Sequence, residues 1–176
     1  VNWGVYAYAV TNDHVIEASL GYFINPLVSV TLGVVLLRER LRNLQWTAVA
    51  IGAVAVIVLT ASYGRPPWIS LILAFSFGFY GLFKKIADVG AVESLTIETA
   101  LLLPIDLIVM LGFARSGHGA LVTAGAGTVV LLILLGPVTA IPLLAFGAAT
   151  TRIPLSTIGL IQYLTPTIQF LLGLTV

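Results

Sequence analysis

Six polar side chains occur at helical spacing inside two long uncharged stretches of the sequence: Tyr22, Asn25, Ser29, Gln162, Thr165 and Gln169. The first three are spaced i, i+3 and i+7, and the last three repeat that spacing 140 positions later. Such spacing places each set on one face of an α-helix. Polar side chains are unfavourable against lipid, so both faces are predicted to point inward. They either line a substrate pathway or hydrogen-bond between helices and hold a bundle together.

A proline lies inside each polar stretch. Pro26 and Pro166 have no backbone N–H, so each is predicted to kink its helix and free a nearby carbonyl. Residues 3–36 align without a gap over residues 143–176, and the alignment matches the two prolines and two Leu-Gly pairs, Leu32-Gly33 and Leu172-Gly173. We interpret the match as an internal repeat, which would bring the two polar faces together across a pseudo-two-fold axis. Membrane proteins built from duplicated halves are typically transporters.

Further candidates for chemistry are acidic or aromatic. Asp106 falls near the middle of an apolar span, where an ionised carboxylate costs about 3 kcal/mol. Asp106 is therefore a candidate for proton coupling. Alternatively, it has a structural role, in which a partner on another helix compensates its charge. Glu17 could cap a helix N-terminus or receive a cationic solute. Aromatic residues within 3–8 and 75–80 suit either a cavity or ordinary packing.

Reactive groups are few. The sequence has no cysteine, His14 and His118 fall in predicted loops, and no Ser-His-Asp or metal-ligand spacing occurs. We therefore predict no catalytic residue, no metal site and no enzyme activity. No nucleotide-binding loop is present, and no cofactor is expected. A channel remains an alternative to a carrier, and a membrane-embedded enzyme is a more remote one.

Composition indicates an all-α membrane protein. The sequence is 59% hydrophobic and 9% charged, against about a quarter charged residues in soluble domains, and its mean hydropathy is +1.10. Because a span needs about 20 apolar residues, the uncharged intervals predict helices at 20–37, between 42 and 65, between 65 and 84, and at 95–114, 129–151 and 155–176, with a partial helix at 1–10. The net charge of +1 offers no basic patch for nucleic acid.

Loop charges predict the orientation of these helices. Alternate loops hold six Lys and Arg residues on one side and two on the other. The positive-inside rule then places the Arg38–Arg42, Lys84–Glu93 and Arg152 loops in the cytoplasm. Four predicted spans lie between the helix at 20–37 and its copy at 155–176, so the copy is the fifth helix after the first and the two run in opposite directions. The repeat is therefore predicted to be inverted.

Four motifs resemble one known family: EASLGYFINPL at 17–27, RERL at 38–41 with Gln45-Trp46, AFSFGFYG at 74–81 and LSTIGLIQYLTP at 155–166. Through these motifs the chain resembles the EamA family of the drug/metabolite transporter superfamily, and within that family the RarD-type permeases. The resemblance implies a ten-helix polytopic bundle of two inverted five-helix repeats. This chain would run from the third helix to the ninth, as a piece of a longer protein.

The resemblance also implies a function. Residues 1–61 would end the first repeat, and residues 62–176 would form the second repeat without its last helix. The protein would be a multi-pass carrier in the inner (cytoplasmic) membrane that moves small organic solutes or drugs by alternating access, coupled to protons or by exchange. The expected partners are the lipid bilayer and a small-molecule solute, with a homodimer as a further option and no nucleic acid.

The orientation is open to a direct test. Single cysteines replacing Arg40 and Lys85 should react only with reagents that reach the cytoplasmic side, because their loops carry most of the positive charge. Cysteines replacing Arg65 and Arg115 should react with a membrane-impermeant maleimide added outside whole cells. Labelling from outside at positions 40 and 85, but not at 65 and 115, would reverse the assignment.

Overall fold

The computed structural model describes residues 2–64, 66–115 and 125–173, without the side chains at 169, 170, 172 and 173. These residues form α-helices and no strand. The helices are α1 (Asn2–Thr11), α2 (Val15–Val35), α3 (Asn43–Tyr63), α4 (Trp68–Ala87), α5 (Ala91–Arg115), α6 (Ala126–Arg152), α7 (Leu155–Gln162) and α8 (Leu164–Gly173). Five of them, α2 to α6, are long and apolar enough to cross a membrane. The prediction of an all-α, polytopic membrane protein is confirmed.

Helix ends follow local chemistry. Helix α3 begins with a capping box in which Gln45 Oε1 accepts the Arg42 N–H at 2.8 Å. It ends at Gly64, whose φ of 74° lies in the left-handed region that favours glycine. Pro66 and Pro67 then precede α4, because proline cannot continue a helix but suits the approach to a new one.

The segment predicted as one helix over 155–176 is interrupted. Helix α7 ends at Gln162, the Tyr163 N–H bonds back to the Leu160 carbonyl at 3.3 Å, and α8 begins at Leu164. Pro166 favours a break here, because it cannot donate to the Gln162 carbonyl and its ring crowds that carbonyl. In the described residues the predicted span over 155–176 therefore consists of two helices, which meet close to the proline at which a kink is predicted. Pro26 lies inside an α2 that continues through it.

The chain divides into two compact units, one of Val1–Ala87 with Arg152–Val176 and one of Asp88–Thr151. These units differ from the repeats predicted at 1–61 and 62–176, and the repeat boundary stays a prediction. In the first unit α2 is central and packs against α4 on one side and α7 on the other. Its core is apolar: Leu20, Ile24, Val28, Leu32, Ala74, Leu82 and Leu155. The α2 members recur every four residues and form one ridge of that helix.

In the second unit, α5 buries none of its residues, and α6 buries only Gly147 and Thr150. Most of the surface of both helices is apolar and exposed. Such surfaces suit the hydrocarbon interior of a bilayer, where burial against protein is not needed.

Glycines set how closely the helices of the first unit approach. A Cβ built on Gly159 of α7 would lie 2.9 Å from the Pro26 carbonyl oxygen and 3.1 Å from Ser29 Cβ, both on α2. A Cβ on Gly78 of α4 would lie 2.7 Å from a methyl group of Val28. Close approach of this kind is typical of membrane helices, which associate largely through van der Waals contact.

We expect Gly159→Ala to destabilise the folded protein by about 1–3 kcal/mol, because the added methyl group would overlap the Pro26 carbonyl. The matched control is Gly4→Ala, also within a helix, where a Cβ would meet nothing within 4 Å. That change should be neutral or slightly stabilising, since alanine favours helix. Thermal unfolding in detergent measures both. Equal melting temperatures for the two variants would contradict the packing described here.

Candidate solute cavity beside the central helix

A cavity of about 140 Å³ lies beside α2 in the first unit. Helices α1, α2, α4, α7 and α8 all contribute to its wall. The lining residues are uncharged: Asn2, Tyr6, Ala18, Gly21, Tyr22, Asn25, Leu73, Phe77, Gln162 and Thr165. Amide and hydroxyl groups therefore alternate with apolar and aromatic surface, which is the usual make-up of a site for a small molecule.

An amide pair crosses the wall between α2 and α7. Asn25 Nδ2 donates to Gln162 Oε1 at 3.3 Å. Asn25 Oδ1 is buried, and it has no hydrogen-bond partner in the part of the chain that the structure describes. Both residues also line the cavity, so one pair bonds between helices and faces the cavity at once.

Aromatic rings form another part of the wall. Tyr6 of α1 and Tyr22 of α2 meet edge to face with ring centroids 6.2 Å apart, and Trp3 meets Tyr6 in the same way at 6.1 Å. Helix α1 is fixed beside α4 because Asn2 Nδ2 donates to the Leu73 carbonyl at 2.9 Å and to Ser76 Oγ at 2.9 Å. The edge-to-face arrangement is favourable for aromatic pairs and holds the tyrosines in place.

The predicted pathway residues divide into three groups. Tyr22, Asn25, Gln162 and Thr165 lie together on the cavity wall. Ser29 is buried at 2% exposure but is not among the lining residues, because Gly159 brings α7 against α2 there and leaves no space. The side chain of Gln169 lies outside the described residues. The roles of all six in transport stay predictions.

Neither acidic candidate is among the described residues that line the cavity. Asp106 is in α5 of the second unit, where its side chain is exposed, and its part in proton coupling stays a prediction. Glu17 is buried in the first turn of α2. Its Oε1 accepts the Tyr63 hydroxyl at 2.5 Å and lies 3.3 Å from His14 Nδ1, so its carboxylate joins α2 to α3.

Sequence reasoning missed two polar contributors. Asn2 gives no signal in the sequence, because a single amide at the start of an apolar segment forms no periodic pattern. Glu39 accepts the backbone N–H groups of Leu155 at 2.7 Å and Ser156 at 2.8 Å, far along the chain. Nearby, Lys85 Nζ donates to the Ile153 carbonyl at 2.8 Å. These contacts join residues from the three loops that the charge count assigns to one side of the membrane.

The fold and the cavity define a class: a polytopic helical membrane protein with a polar cavity among apolar helices. Protein RarD of Streptomyces exfoliatus is 56% identical over 173 residues, which are 98% of this chain and 55% of that protein. Protein RarD of Escherichia coli (strain K12) is 47% identical over 174 residues, 99% of this chain and 59% of that protein. An uncharacterized transporter of Bacillus subtilis (strain 168), YojE, is 48% identical over 179 residues, 100% of this chain and 58% of that protein.

Over nearly its whole length the chain is thus similar to proteins named RarD, in keeping with the resemblance of its motifs. The chain spans a little over half the length of the curated relatives it matches. No family model matches the chain, and no solved structure matches it.

Proposed function

We propose that the protein containing this chain is a secondary transporter of a small organic solute across the cytoplasmic membrane. The observation that carries the proposal is the uncharged cavity of α2, with the Asn25–Gln162 pair in its wall. Polar groups within apolar spans are costly, so they are typically kept where they bind a substrate or each other. Several relatives are named as transporters, which supports the same class.

The backbone around the cavity supports alternating access. Pro26 and Pro166 lack the N–H that would bond the carbonyls of Tyr22 and Gln162, and both of these residues line the cavity. The helical segment is also interrupted at Tyr163, directly after Gln162. In secondary transporters, interrupted helices at the binding site supply free backbone groups to the solute and points of movement.

The lining suggests the kind of solute. Amides from Asn25 and Gln162 can donate and accept hydrogen bonds, while Tyr6, Tyr22 and Phe77 offer apolar ring surface. A molecule with both hydrogen-bonding groups and a flat apolar part would use both kinds of surface. Binding without chemical change is then the whole task of the site, in keeping with a carrier rather than an enzyme.

The test begins with a thermal-shift screen of drugs, amino acids and nucleotides to find a solute, followed by its uptake into proteoliposomes. Asn25→Ala and Gln162→Ala should each lower uptake about tenfold, the effect of losing one hydrogen bond to the solute. Thr31→Ala is the matched control: Thr31 is an exposed residue of α2 whose hydroxyl donates to the Leu27 carbonyl of its own helix. Folded Asn25 and Gln162 variants that transport like the parent would refute the site.

We further propose that Asp106 couples transport to protons, since its charge at mid-span would be unfavourable in lipid. Asp106→Asn mimics the neutral carboxyl group. It should leave solute exchange intact and remove the dependence of uptake on an imposed pH gradient. An unchanged dependence in the folded variant would assign the coupling to another residue.

A further inference from the structure

The cavity is closed at one end by tight packing. On α2, the lining residues lie between Ala18 and Asn25, in the half that follows His14. Beyond them, Ser29 and Gly33 are buried against α7. Helix α7 shows the complementary pattern, because its first residues are buried and its last residue, Gln162, reaches the cavity. The two helices thus converge toward the start of α7 and diverge toward the cavity.

One carboxylate, that of Glu39, connects the end of α2 to the start of α7 where the two helices converge. Glu39 Oε1 and Oε2 accept the N–H groups of Leu155 and Ser156, the first two residues of α7. The first amides of a helix have no acceptor within the helix, and its N-terminus favours negative charge. Leu155 and Ser156 are 1% and 2% exposed, so water cannot replace the carboxylate while the end stays packed. Both hydrogen bonds are charge-assisted and therefore strong.

The local backbone places Glu39 for this contact. After α2 ends, Arg38 takes a left-handed conformation with φ of 55°, and the Glu39 N–H bonds back to the Gly33 carbonyl at 3.1 Å. Gly33 leaves the necessary space. A Cβ on it would lie 2.6 Å from Glu39 Oε2 and 2.9 Å from the Ser156 nitrogen. The turn, the glycine and the carboxylate thus form one contact between α2 and α7.

We propose that Glu39 is a latch that keeps the cavity closed at the α7 end and releases when the cavity opens there. This inference rests on the proposed transport function, because a carrier must expose its cavity to each side in turn. A solute can pass Ser29 only if α2 moves away from Gly159. The same movement increases the distance between Gly33 and Ser156 and breaks the hydrogen bonds between Glu39 and the α7 amides. Weakening the latch should therefore shift the protein toward the state that is open on the Glu39 side.

Side-specific labelling tests the latch. This chain has no native cysteine, so Ser29→Cys introduces one small thiol between the cavity and the latch, in a protein cleared of cysteine elsewhere. Sealed vesicles of both orientations are treated with a membrane-impermeant maleimide. Adding Glu39→Gln should raise labelling from the Glu39 side about tenfold, the effect of losing one charge-assisted hydrogen bond, and should not raise it from the other side.

The control is Glu93→Gln, which neutralises an exposed carboxylate in the first turn of α5 and should change nothing. Unchanged labelling in folded Glu39→Gln, or an equal increase from both sides, overturns the latch. If Glu39→Gln does not fold, Glu39→Asp replaces it: the shorter side chain should give a smaller increase from the Glu39 side, and no increase overturns the latch. Because labelling needs no solute, a failed latch and a failed transport function give different results.

Discussion

The contact between Gly159 of α7 and the Pro26 carbonyl of α2 is the interaction on which the first unit depends. A side chain larger than hydrogen at position 159 would lie within 2.9 Å of that carbonyl oxygen. With glycine there, two backbones meet on one side and separate on the other. The cavity is the space that opens where they separate, and the buried start of α7 is the region where they converge. One glycine thereby determines both the site and its closed end.

A second constraint is that polar groups need partners when water is absent. At three places the structure meets it through contacts between residues far apart in the sequence. Asn25 donates a hydrogen bond to Gln162, Asn2 donates one to α4, and Glu39 accepts hydrogen bonds from the first backbone amides of α7. Each of these contacts also fixes the position of a helix around the cavity. The polar groups that a solute would meet are therefore held by the same bonds that assemble the bundle.

Much of this arrangement is predictable from the sequence, because helical periodicity and the match between residues 3–36 and 143–176 both leave a pattern in residue types. They identified the two polar faces, including Tyr22, Asn25, Gln162 and Thr165. Periodicity gives the face of a helix but not the depth at which a neighbouring helix fills the space. It therefore predicts Ser29 on the pathway, although that residue is buried against Gly159. Likewise, proline chemistry is the same at positions 26 and 166, yet only the second interrupts its helix. The surroundings decide that outcome.

The most direct measurement is a cross-link between α2 and α7 in the membrane. Asn25→Cys and Gln162→Cys are introduced together, treated with a short bifunctional thiol reagent and analysed by mass spectrometry of the digested protein. The hydrogen bond of 3.3 Å between the Asn25 and Gln162 side chains predicts an efficient link within one chain. Thr31→Cys with Gln162→Cys, which places one thiol on an exposed position of α2, should give none. No link between positions 25 and 162, or an equal link from position 31, would contradict the paired helices and the cavity between them.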